Sequence, residues 1–350
     1  MERHRMAVPD APNALGTTTT HRAGAGTAPA APKLLRPDGD TYVVILAGGE
    51  GRRLRDAVRA RDGSSVPKQF CRFRDDRTLL ATTLERAFRI APAERVLVVV
   101  RESHRRWWTG DLALLPRENV IAQRDDRGTA IALLQALVEA HCRDRDPEIV
   151  LMPSDTDVED EGVLLSAIAA GQRIARVHGA QAAVLGVRPT HVDTEFGLLL
   201  PGEDDASGSR SVRAFVEKPA RALARRWTRS GALWNTFMLA CPGWTLYELF
   251  EDALPGVPSA YLRALAFGRG EDTRHAAVAA LPAHDLVRDV LERRPERLRL
   301  VPVPDCGWTD LGTPARLRRW LARHRECAFL RERMPGWRTG DDIGGVALPA

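Results

Sequence analysis

A short apolar run that stops in glycine constrains this chain more than any other feature. In "YVVILAGGEGRRL", residues 42 to 54, the apolar and β-branched residues end at Ala47 and a glycine turn follows at once. The run is too short for a buried helix and suits a central strand of a parallel sheet, covered on both faces. Without Cβ atoms, Gly48, Gly49 and Gly51 let the backbone take positive φ and let several N–H groups converge on an anion. A phosphate cradle is one reading of such a turn; a tight strand-to-helix turn with solvated arginines is the other. The known phosphate loops do not fit, because no Gly-Lys-Ser/Thr ending follows and Leu54 stands where a dinucleotide fingerprint has its third glycine.

From this strand onward apolar runs alternate with helical periodicity, as in a parallel α/β sheet. The pattern predicts strands at 42–47, 95–100, 118–122, 148–152 and 181–187, with amphipathic helices at about 78–90, 129–142 and 162–177. Right-handed crossovers put helices on both faces of the sheet. Further strands near 195–200, 211–217, 233–239 and 297–303 are separated by longer segments and predict a mixed sheet with a lid or substrate-binding portion. Residues 1–40, rich in Ala, Pro, Gly and Thr, read as a disordered tail without the apolar core of a secretory leader. The folded domain is expected over 41–325, with a C-terminal tail at 326–350. No hexapeptide repeat points to a β-helix extension.

Composition narrows the function. No stretch reaches the length of a membrane span. The net charge of +5 is spread along the chain, which favours a solvated arginine-rich surface over nucleic-acid binding. The five scattered cysteines form no C-x-x-C pair, so neither a disulfide framework nor a structural zinc site is expected, and a reducing cytoplasm is the simplest compartment. Of 51 basic residues only three are lysine: Lys33, Lys68 and Lys218. In a chain so biased toward arginine, a surviving lysine is a candidate for a place that needs a compact ammonium. Lys33 lies in the tail; Lys68 and Lys218 sit in "VPKQF" and "FVEKP".

Ligands of open α/β sheets bind beyond the carboxyl ends of strands, which gives weight to polar residues that follow strands. Asp155 in "LMPSDTD" suits either a helix cap or a divalent cation. Asp310, in "CGWTDLGT", lies in another turn after a strand, and the two acids make one metal site if the fold brings them together.

Taken jointly, "LAGGEGRRL", "PKQF", "RGTA" (127–130), "PSD" (153–155), "FVEKP" (215–219), "WNT" (234–236) and "GWTDLGT" (307–313) resemble the sugar-phosphate nucleotidyltransferases in order and spacing. "PKQF" with "RGTA" is most similar to the mannose-1-phosphate guanylyltransferase branch. The resemblance covers about residues 42 to 325. It implies a Rossmann-like, mixed but mainly parallel sheet of the nucleotide-diphospho-sugar transferase (GT-A-like) type, and a reaction of GTP with a sugar 1-phosphate. The sugar-phosphate oxygen attacks the α-phosphorus in line and pyrophosphate leaves, chemistry that asks mainly for positioning and charge neutralisation.

Residue by residue, the resemblance makes Arg53 and Lys68 catalytic, gripping the triphosphate and supporting the developing charge. Leu46, Ala47, Gly48, Gly49, Gly51, Gln123, Gly128 and Thr129 fall on nucleotide-binding positions, the last three where the base is read. Glu217, Lys218 and Asn235 fall on sugar-phosphate positions, and Asp155 and Asp310 on those of the Mg2+ ligands. A homo-oligomer is compatible with the pattern, and neither nucleic acid nor membrane is expected as a partner. Three positions depart from it. Arg52 replaces a threonine, Thr156 a histidine, and Phe237 a glycine, the last narrowing the sugar pocket. A uridylyl- or thymidylyltransferase acting on another hexose 1-phosphate, or a non-catalytic sensor of nucleotide sugars, are the alternatives.

Overall fold

The computed structural model describes residues 41–54, 65–266, 268 and 270–324, without the side chain of Arg52. The tails expected at 1–40 and 326–350 lie outside the described residues. Among those residues the strands are β1 (Thr41–Ala47), β2 (Val96–Arg101), β3 (Val120–Gln123), β4 (Glu148–Pro153), β5 (Ala182–Val187), β6 (Leu198–Asp204), β7 (Arg210–Val216), β8 (Leu233–Pro242) and β9 (Leu298–Val303). The α-helices are α1 (Leu79–Phe88), α2 (Arg105–Trp108), α3 (Gly128–Arg143), α4 (Glu161–His178), α5 (Arg221–Arg229), α6 (Gly243–Ala253), α7 (Val257–Leu265), α8 (Glu271–Ala279) and α9 (Pro314–Arg323).

The strands form one nine-stranded sheet in the order β3-β2-β1-β4-β8-β5-β9-β7-β6. All but β7 and β8 run in one direction, so the sheet is mixed and mainly parallel. Strand β8 pairs with β5 along one edge and, along the other, with β4 in its second half and β6 in its first. That shared pairing curls the far end of the sheet back on itself.

Strand β1 behaves as its composition requires. Val43, Ile45 and Ala47 enter one core layer, and Tyr42 and Val44 the other. Burying each of the larger side chains is worth about 1.5–3 kcal/mol. The first layer also takes Leu80 and Leu84 of α1, Leu164 and Ile168 of α4, and Leu317 and Trp320 of α9. The second takes the apolar side of α3 and residues of α6 to α8. No helix among the described residues is long and apolar enough to cross a membrane.

From β1 the chain adds β2 and β3 on one side, then returns through α3 to place β4 on the other. The carboxyl end of β1 is therefore a topological switch point, where open α/β sheets have their crevice.

One element was not legible in the periodicity. Residues Leu286–Leu291 form a single π-helical turn, capped by the Asp285 carboxylate and closed by the Glu292 N–H to the Val287 carbonyl. Its first amide, of Leu286, is held by the Thr129 hydroxyl at 2.8 Å, a tertiary contact that local pattern does not encode.

Candidate active site

A cavity of about 790 Å3 opens at the switch point. Its floor is the glycine turn after β1, with Gly48, Gly49, Glu50, Gly51, Arg53 and Leu54 on the wall. Side chains from outside pin the carbonyls of that turn. The Gln69 amide donates to Ala47 O at 2.8 Å and Gly49 O at 2.9 Å, and Arg101 Nε donates to Gly48 O at 2.7 Å. Gly51 takes φ +61, and a Cβ there would stand 2.9 Å from the backbone nitrogen of Lys68, so the turn admits no side chain at this point. Ala47 itself is fully buried and gives the site only its carbonyl.

Asp155 and Asp310 stand far apart in sequence, yet their turns are stitched together. Asp157 and Thr309 exchange two backbone hydrogen bonds, of 2.8 and 2.9 Å. The Asp157 carboxylate accepts from the buried Trp320 indole at 2.6 Å and from Arg74 at 2.8 Å, which anchors the bridge to α9. The result is that one ammonium touches both turns: Lys68 Nζ lies 2.8 Å from Asp155 Oδ2 and also donates to the Asp310 carbonyl. Lys68 is 5% exposed, which disposes of a solvated surface lysine.

The Asp310 carboxylate is held from behind. Its Oδ1 accepts from Gly312 N at 2.9 Å and from Arg316 at 2.5 Å, while Arg316 also forks onto Asp193 at 3.0 and 3.2 Å. Burial works against the Arg316 guanidinium, but the two carboxylates outweigh it and keep its pKa above the ordinary arginine value. Arg53 reaches across the cavity mouth to Glu195 at 2.6 Å.

Glu217, Lys218 and Asn235 also line the cavity. Burial raises the Glu217 carboxyl above the usual glutamate range, against the pull of the Lys218 ammonium 3.4 Å away. Gln123, Gly128 and Thr129 line the cavity as well. The Thr129 hydroxyl is committed to Leu286 N and Asp285, so it shapes this wall rather than offering a free donor. Gln123 Nε2 is buried without a partner among the described residues, as are Thr156 Oγ1 and Trp308 Nε1 on the same cavity. A buried donor left unpaired costs about 1–3 kcal/mol, which a ligand acceptor would recover.

All the residues given a site role in the sequence except Ala47 thus line one cavity. The sequence did not single out Gln69, Arg101, Asp193, Glu195, Asp285, Trp308 or Arg316. Gln69 follows Lys68 inside a noted motif, and Arg101 ends a strand at the sheet's carboxyl edge; those positions were the available signals. The model of the nucleotidyl transferase family matches residues 42–323.

This chain belongs to that family. Among similar sequences are the xanthan biosynthesis protein XanB of Xanthomonas campestris, 29% identical over 281 residues, and a mannose-1-phosphate guanylyltransferase of Salmonella muenchen, 28% identical over 285. These alignments cover 78% and 77% of this chain but only 58% and 57% of the relatives, so the chain spans under two thirds of their length. A solved structure, described as mannose-1-phosphate geranyltransferase from Thermus thermophilus, is 30% identical with a TM-score of 0.70, covering 80% of this chain and 78% of that one. A UDP-glucose pyrophosphorylase complexed with UDP-glucose, 11% identical with a TM-score of 0.51, shares the fold alone.

Proposed function

We propose that this nucleotidyl transferase condenses GTP with mannose 1-phosphate to give GDP-mannose and pyrophosphate. The observation that carries the reading is the convergence of Lys68, Asp155 and the Asp310 turn on one point of the cavity. A phosphoryl-transfer site needs positive charge there, with carboxylates able to hold a metal ion beside it. The names of the relatives support the choice of substrates.

In this reading the triphosphate lies over the glycine turn, with Arg53 released from Glu195 onto its oxygens. Lys68 supports charge at the α-phosphate. Lys218 holds the sugar phosphate and Glu217 a sugar hydroxyl, while Gln123 donates its unpaired amide to the base. An oxygen of the sugar phosphate forms the new bond to the α-phosphorus, and the bond to pyrophosphate breaks on the opposite side.

The donor set fits a divalent cation. Asp155 is a partly exposed carboxylate already paired with a cation, and Asp310 carries donors on Oδ1 only, among the described residues. Two carboxylates completed by phosphates and water suit Mg2+, which when bound would neutralise the phosphates and align them. The absence of a membrane-spanning helix among the described residues is compatible with a cytoplasmic enzyme.

The test is pyrophosphate release from each nucleoside triphosphate paired with each hexose 1-phosphate. GTP with mannose 1-phosphate should turn over fastest. Faster turnover with UTP or dTTP would overturn the guanylyl assignment, and no turnover with any pair would overturn the transferase reading.

A further inference from the structure

Among the described residues only three non-glycine residues take left-handed backbone: Lys218 at φ +49, Phe237 at φ +65 and Leu311 at φ +47. Lys218 and Phe237 line the cavity, and Leu311 lies between Asp310 and Gly312, which also line it. For a bulky residue this conformation is a real outlier, and it persists only where the surroundings over-determine it.

At Phe237 the surroundings can be named. Strand β8 bulges between its pairings at Asn235 and Leu239. The Asn235 Oδ1 accepts from Phe237 N at 3.1 Å, and the Thr236 hydroxyl accepts from Met238 N while donating to Leu185 O at 2.8 Å. Two side chains of "WNTF" therefore staple the backbone on both sides of the strained residue. The staple also spends the Asn235 carbonyl and leaves its NH2 group for a ligand.

The ring is half-buried against the second core layer and borders the cavity. Its neighbour in the bulge, Asn235, stands near Glu217: Asn235 N donates to Gly197 O at 2.9 Å, and a Cβ on Gly197 would stand 2.6 Å from Glu217 Oε2. An aromatic residue on a cavity that also carries a carboxylate, a carboxamide and an ammonium suits a pyranose, which carries hydroxyls at its rim and C–H groups on its faces.

We infer that Phe237 is a specificity-determining residue: its ring, held at strained backbone, packs on the C–H face of the sugar and selects which hexose 1-phosphate fits. This inference rests on the proposed reading of Glu217, Lys218 and Asn235 as the residues that hold the sugar phosphate.

The experiment compares Phe237→Ala, Phe237→Gly and Phe237→Leu with the wild type. Equilibrium binding of mannose 1-phosphate and of glucose 1-phosphate by calorimetry needs no turnover and so stands apart from the transferase assay. Ala and Gly both remove the ring, and both should weaken mannose 1-phosphate about 10-fold and narrow its margin over glucose 1-phosphate, while GTP affinity stays within about 2-fold. Leu keeps apolar bulk and should fall between. Gly relieves the left-handed strain that Ala retains, so Phe237→Gly should unfold at higher denaturant than Phe237→Ala, the reverse of their usual order. Unchanged sugar binding in all three variants would overturn the inference, as would a loss confined to GTP.

Discussion

Replacing Lys68 by Met should tighten the binding of a divalent cation to the nucleotide-free protein, although it slows the reaction. The Lys68 ammonium stands 2.8 Å from Asp155 Oδ2, so an incoming cation competes with it for that carboxylate. Two unit charges at this distance attract by about 6 kcal/mol at an effective dielectric of about 20 and by about 1.5 kcal/mol in bulk water. The Asp155 side chain is 38% exposed. Solvent screening therefore holds the pair near the lower figure, about 1.5–3 kcal/mol. At about 1.4 kcal/mol per decade, removing the competitor should tighten Mn2+ by about 10- to 100-fold. The assay is titration of Mn2+ without nucleotide, followed by loss of the free-ion paramagnetic signal. Turnover should meanwhile fall by about 10²-fold, as when one electrostatic donor is lost. Adding Asp155→Asn to Lys68→Met should abolish the gain. Mn2+ affinity that is unchanged or weaker in Lys68→Met would refute the reasoning.

Asp155→Asn and Asp310→Asn should each lower turnover strongly while the thermal midpoint stays within a few degrees, measured by steady-state kinetics and calorimetry. Lys218→Arg should raise KM for the sugar phosphate more than for GTP, because a planar fork replaces a compact ammonium beside Glu217. Gly128 sits at φ +80, and a Cβ there would stand 2.2 Å from the His284 carbonyl oxygen. Gly128→Ala should therefore destabilise by more than the about 1–2 kcal/mol of left-handed strain alone, read by urea unfolding. Burial raises the Glu217 carboxyl above its ordinary value of 4.5. Its charged form therefore opposes folding, with no penalty below the unfolded value and a growing one as pH climbs through the folded value. Glu217→Gln should stabilise at about pH 7, lose that advantage at about pH 4, and weaken sugar-phosphate binding throughout.

The extent to which the sequence revealed this site depended on what its composition hides. Lysine is scarce here, so Lys68 stood out, and the structure buries it between two acidic turns. Arginine is everywhere, so nothing in the sequence set Arg316 and Arg86 apart from the arginine-rich surface expected of it. Both are buried, Arg316 behind Asp310 and Arg86 forked onto Glu161 with two contacts of 2.7 Å. Strand positions were readable because apolar runs are local. The third boundary slipped because Arg117–Asn119 form a 3-10 turn, pinned by the Asn119 amide on the carbonyls of Ala93 and Val96. The insertion of β8 between β4 and β5 was not readable, since pairing across that distance is decided by tertiary packing.

Local rules fail together at the cavity, and the failure has a common form. Lys218, Phe237 and Leu311 break the same preference, each at a cost of about 1–2 kcal/mol. Three such costs reach about 3–6 kcal/mol, a large share of the about 5–15 kcal/mol by which a domain is stable. Local hydrogen bonds from Asn235 and Thr236 brace Phe237, and contacts across the sheet add to them. Leu311 is fully buried beside the bridge between Asp157 and Thr309, and the bulge at Phe237 is stapled to β5. The bridge joins the acidic turns and the bulge adjoins Asn235, so the contacts that sustain the strain are also those that place the site's polar groups. A substitution that relaxed the backbone at Phe237 or Leu311 would therefore act on ligand geometry before it acted on the fold.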